Sequence, residues 1–137
     1  MTPAVKSLAT FAGLALALAA PGVAQAAKHA PVPARFTGTW TEARVACSAS
    51  EEVSETTIDQ TGIYTEAEEV SITGVRVLSR NQVEVDTLAS FDPPARGTTL
   101  LTLSPDGRRL TMRVVADGRK RLAHQDAQVL KRCPVPR

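Results

Sequence analysis

Two histidines, two cysteines and several clustered carboxylates are the side chains in this sequence whose types could do chemistry. A nucleophilic triad needs a histidine held between a serine and a carboxylate, and no Gly-x-Ser-x-Gly turn is present to present such a serine. His29 falls in a proline-containing linker and His124 in a loop, where solvated imidazoles are the ordinary outcome. Cys47 and Cys133 are too far apart for a redox Cys-x-x-Cys and too few for a structural zinc site, which takes four ligands. In an oxidising compartment two such thiols pair, so a structural Cys47–Cys133 disulfide is expected. Glu51-Glu52 and Glu68-Glu69 sit in acidic runs that read as solvated surface. Glu84 and Asp86 share one face of a strand, and alternation turns that face outward. No glycine-rich loop has phosphate-cradling spacing. Catalytic residues, cofactor and metal are therefore not expected, and the chain reads as a binding protein rather than an enzyme.

The compartment is read from the first 26 residues. Lys6 precedes an apolar run over 8–20, Pro21-Gly22 breaks it, and Ala24-Gln25-Ala26 offers a small-x-small cleavage site. The run is shorter than the roughly 20 residues a bilayer span requires. A signal peptide over 1–26 follows, with export to a periplasm and no stable membrane insertion after its removal. Residues 27–35 carry two prolines and form an extended linker. One domain over 36–133 and a short tail at 134–137 complete the chain, which has room for a single domain.

What must position these side chains is a series of short β segments. A first strand is expected over 36–46, followed by an acidic loop over 48–55 and short strands at 56–58 and 63–65. In 69–77, Val70 and Ile72 share one parity whereas Val75 and Val77 share the other. The inward set can continue only if the strand slips at Thr73-Gly74, the signature of a β-bulge. Val83, Val85 and their neighbours alternate cleanly to residue 89, and 92–97 is a rigid loop. Ser104-Pro105-Asp106-Gly107 between two apolar runs is a strong hairpin signal. Asp117-Gly118 turns the chain again, and 127–132 closes it. About eight strands at close spacing, without a helical stripe, predict an all-β antiparallel barrel or flattened sandwich. A disulfide joining first and last strands would close it.

Gly38-Thr39-Trp40, entering the first strand of an exported β-domain, resembles the start of lipocalin-like (calycin) barrels. The resemblance implies that Trp40 seals one end of the barrel, with Gly38 beside it and Arg132 on the last strand packing over the indole. In size the chain is similar to bacterial periplasmic inhibitors of proteases and of lysozyme.

Charge is segregated. Residues 42–69 hold eight carboxylates against one base, whereas 96–137 hold ten bases against three acids. Glu51, Glu52 and Glu55 on one side, and Arg119, Lys120 and Arg121 on the other, are candidate binding patches. The alternative is that the two segments neutralise each other across the seam of a closed barrel. Few aromatics are available for base stacking, which argues against nucleic acid. The expected function is a monomeric, non-catalytic binding or inhibitor-like module for a periplasmic or secreted protein or an envelope component. The alternative is a carrier of a small apolar ligand. A carrier requires a cavity of roughly 300 Å³ or more. Val70, Ile72, Val83, Val85, Leu101, Leu103, Leu110 and Met112 filling the centre would count against one.

Overall fold

The computed structural model describes residues 29–47, 55–123 and 126–134. The expected signal peptide, Glu51, Glu52 and His124 lie outside the described residues. Nine β elements follow in chain order: β1 (Gly38–Glu42), β2 (Glu55–Ile58), β3 (Gly62–Tyr64), β4 (Glu69–Ser79), β5 (Gln82–Ala89), β6 (Ala95–Leu103), β7 (Arg109–Asp117), β8 (Lys120–Arg121) and β9 (Gln128–Arg132). Each pairs antiparallel with its neighbours in the order β6-β5-β4-β3-β2-β1-β9-β7, and β6 pairs with β7 to close the ring. β8 pairs with the end of β7 on the flank that β9 uses nearer the start. Eight strands therefore make the barrel, with β8 an appended fragment of the last wall. Closure removes the long sheet edges that an open meander of this length would leave.

The strands alternate as their sequences require. Along β5 the lumen-facing residues Val83, Val85, Thr87 and Ala89 are buried, while Gln82, Glu84, Asp86 and Leu88 between them are only half-buried. β4 changes register between Ile72 and Gly74, so Thr73 is the extra residue and Val70, Ile72 and Val75 all keep the lumen side. This is the slip demanded by the parity change in the sequence. A second shift lies between Val77 and Ser79. β7 carries another, since Thr98 faces Ala116 while Thr99 faces Val114, leaving Val115 unpaired in the β6–β7 ladder. Such bulges sharpen the local twist that a small barrel needs. The β6–β7 hairpin turns on Gly107, at φ +71°, and the β7–β8 turn on Gly118, at φ +56°. Both are left-handed positions where a side chain would be strained.

The first strand is shorter than expected. Phe36 belongs to a turn, its amide donating to the Pro33 carbonyl at 2.9 Å, and β1 stops at Glu42. The chain then reverses, the Val45 amide donating to the Glu42 carbonyl at 3.0 Å. The reason is covalent. Cys133 lies just past β9, its amide bonded to the Thr39 carbonyl at 3.0 Å, so the chain must double back for Cys47 to reach it. The Cys47–Cys133 disulfide, with Cα atoms 5.5 Å apart, ties the two ends of the fold together. It is consistent with an exported protein. Two smaller departures follow: β6 already begins at Ala95 inside the expected 92–97 loop, and β8 had no counterpart in the sequence reading.

Candidate functional site

The barrel has two unlike ends. At one, Trp40 is fully buried and its indole N–H donates to the Phe36 carbonyl at 3.2 Å. The Arg132 guanidinium sits 4.2 Å from the indole centroid, a cation–π distance. It also donates from Nη1 to the Thr37 carbonyl at 3.0 Å, from Nε to the Gly107 carbonyl at 3.4 Å, and from Nη2 to the Arg35 carbonyl. Burial moves its pKa below that of a free arginine. Gly38 is required here twice over. Its φ is +121°, and a Cβ would stand 3.2 Å from Arg132 Nη1. Val32 is held by reciprocal 2.8 Å bonds between its backbone and the Gln60 amide, and with Phe36 it packs into the core beside Trp40. Gly38, Trp40 and Arg132 thus meet in one seal at this end.

The opposite half is hollow. A cup of about 590 Å³ opens among the ends of β3 to β7, with apolar walls from Ile63, Val70, Ala89, Phe91, Met112, Val114 and Leu122. Of the eight residues whose packing would have argued against a cavity, Ile72, Val83, Val85, Leu101, Leu103 and Leu110 are buried in the solid half. Val70 and Met112 are only partly buried and line the cup instead. Thr87 and Thr99, 9% and 8% exposed, also line it, and neither hydroxyl has a hydrogen-bond partner among the described residues. Gly97 pairs with Thr87, and a Cβ on it would approach Thr87 Oγ1 to 3.3 Å. A side chain at this position would crowd Thr87 on the wall of the cup. Glu68, Arg96, Arg113, Asp117 and Asp126 border the cup, and all five are exposed. A smaller hollow of about 470 Å³ lies beside His29, Pro31, Gln60, Thr61 and Ile72.

The candidate charge patches are only partly assembled. Glu55 is exposed at the start of β2, and Arg119 and Lys120 are exposed at the β7–β8 turn. Arg121 instead reaches across the outer face to Glu84, at 3.1 Å. Arg76 grips the same Glu84 at 2.9 Å and Asp86 at 2.8 Å, and Thr98 Oγ1 donates to Asp86 at 2.8 Å. The hydrogen bonds from Arg76 hold the Glu84 carboxyl below its ordinary pKa. At Asp86 burial pushes the other way, and the bonds from Arg76 and Thr98 outweigh it. Among the described residues no ion pair joins the acidic 42–69 segment to the basic 96–137 segment. The pairing found runs between neighbouring outer faces, as the outward parity of Glu84 and Asp86 implied.

Thr87 and Thr99 were legible but overlooked. They occupy the lumen parity of β5 and β6, where Val-Val-Thr and Leu-Leu-Thr sets turn polar toward one end. Among the described residues no group of three or more His, Cys, Asp or Glu side chains could hold a metal ion. Compared with models of known protein families, with curated proteins and with solved structures, the chain matches none. What fold and site define is a small closed eight-stranded antiparallel β-barrel, sealed at one end and cupped at the other, compatible with a lipocalin-like fold.

Proposed function

We propose that this protein is an exported, lipocalin-like binding protein without catalytic activity, and that its ligand is a small, largely apolar molecule held in the cup. The observation that carries this reading is the cup itself. Its volume falls within the range of roughly 300–1,000 Å³ usual for small-molecule sites, and apolar side chains dominate its wall. The sealed end supports it too, because the solid half supplies rigidity while the open half stays unfilled. Binding an envelope component or partner protein is the alternative. It is favoured by Arg119 and Lys120, exposed at the β7–β8 turn with no ion pair among the described residues.

The test is a titration with N-phenyl-1-naphthylamine, whose fluorescence rises in apolar surroundings. Saturable binding of one probe per chain is expected. Gly97→Leu, which projects a side chain against Thr87, should weaken it at least tenfold while circular dichroism and melting temperature are retained. Absence of saturable binding, or binding indifferent to Gly97→Leu, would overturn the carrier reading and leave a surface-mediated partner as the better account.

A further inference from the structure

The cup is not uniformly apolar, and its polar groups are arranged by depth. Thr87 and Thr99 are nine-tenths buried, face the lumen, and have no partner for their hydroxyls among the described residues. The β5–β6 register makes them diagonal neighbours: Thr87 opposes Gly97, and Thr99 lies two residues further along β6. Diagonal positions are about 7–8 Å apart, close enough for one ligand group, or two adjacent ones, to be reached from both sides. Gly97 carries no side chain to crowd Thr87, whose Oγ1 would lie only 3.3 Å from a Cβ there. Gln128, which pairs with Met112 and borders the cup, adds an amide that no described residue engages.

From these observations we infer that the ligand carries a neutral hydrogen-bonding group, a hydroxyl, carbonyl or amide, and that this end enters first and is bound by Thr87 and Thr99. The inference rests on the cup being the binding site and adds to it the chemistry of the buried end. Two considerations select neutrality. Both hydroxyls face the cup without a partner among the described residues, so they are free to meet a ligand donor or acceptor, and a hydroxyl can serve either role. A carboxylate or ammonium at the same depth would lose its hydration with no opposite charge to replace it, because every ionisable side chain bordering the cup is exposed. Thr87 and Thr99 are therefore the specificity-determining residues. The apolar body of the ligand then lies against Val70, Met112 and Val114, toward Phe91. Sites built to hydrogen-bond a ligand group reject analogues lacking it far more strongly than apolar pockets reject a missing methylene.

The experiment uses three ten-carbon probes that differ only in the head: decan-1-ol, decanoate and decylamine. Each competes at pH 7 against N-phenyl-1-naphthylamine on the full folded protein. Decanol is expected to bind at least tenfold tighter than either charged probe. Thr87→Val and Thr99→Val keep shape and strand propensity and should each weaken decanol about tenfold, with little effect on the charged probes. Thr87→Ser and Thr99→Ser restore the hydroxyl and should recover most of the loss. Equal or tighter binding of decanoate or decylamine, or a decanol affinity unchanged in the Thr87→Val/Thr99→Val double variant, would overturn the inference. So would failure of decanol to displace the fluorescent probe. The fluorescent probe and its sensitivity to Gly97→Leu still report separately on the cup, so the two readings fail in different experiments.

Discussion

Replacing both cysteines, Cys47→Ala with Cys133→Ala, should remove a large part of this protein's stability without altering its barrel. The bond closes a loop of 86 residues. In the chain-entropy account, a cross-link of that span restrains the unfolded chain enough to stabilise the fold by about 4–5 kcal/mol at 25 °C. A domain of this size has a total stability of only about 5–15 kcal/mol, so the variant should be marginal. At roughly 4–8 °C per kcal/mol, the melting temperature should fall by about 20 °C or more. Urea unfolding followed by far-ultraviolet circular dichroism gives both midpoint and slope. The slope should rise in the variant, because its unfolded chain is less compact once the cross-link is gone. The reduced native protein should behave like the variant, which separates the bond itself from the packing of the two side chains. A loss under about 1 kcal/mol, with an unchanged slope, would refute the reasoning. It would mean that the unfolded chain is already nearly as restricted without the bond as with it.

Two further outcomes follow from other parts of the barrel. Thr41 is fully buried on the opposite face of β1 from Trp40, and its hydroxyl finds no partner among the described residues. Thr41→Val should therefore be neutral or stabilising by about 1 kcal/mol in urea unfolding, and a clear destabilisation would indicate an unseen partner. Glu84 and Asp86 have lowered pKa values in the folded state, so their contribution is fully present above the ordinary carboxylate range. It is lost as pH falls through that range to their folded pKa values. Arg76→Met should flatten the decline in stability between about pH 5 and pH 3. The effect will be small, because half of the Arg76 side chain is exposed and water screens the pairs. An acid limb of unchanged steepness in the variant would assign the pH dependence to other groups.

How far the sequence carried can be argued from particular residues. Alternation is a local property, with a period of two, and it survives in any register. Val83, Val85, Glu84 and Asp86 could therefore be assigned to inner and outer faces before any pairing was known, and the parity change at Thr73-Gly74 located a bulge. Turn chemistry is equally local, so Asp106-Gly107 announced its hairpin and Asp117-Gly118 its turn. The Cys47–Cys133 bond followed from counting thiols and from the expectation of export. The length of the first strand did not follow, because the reversal after Glu42 answers to Cys133, a residue 86 positions beyond Cys47. Nor did the partner of Arg121, which meets Glu84 only because β5, β6 and β7 lie side by side.

The division of the lumen is the deepest of these limits. Sequence determined which side chains face inward, and it determined an all-β chain with one long-range tie. Whether an inward residue meets another side chain or an empty cup was decided only by closure of the ring. Ile72 and Val70 are inward on the same strand, two residues apart, yet one is core and the other wall of the cup. Burial at each level depends on what seven other strands and the N-terminal turn deliver to that height. Trp40, Phe36 and Val32 fill one half, whereas Gly97, Thr87 and Thr99 leave the other open. Packing is a sum over distant contacts, and no local pattern contains it.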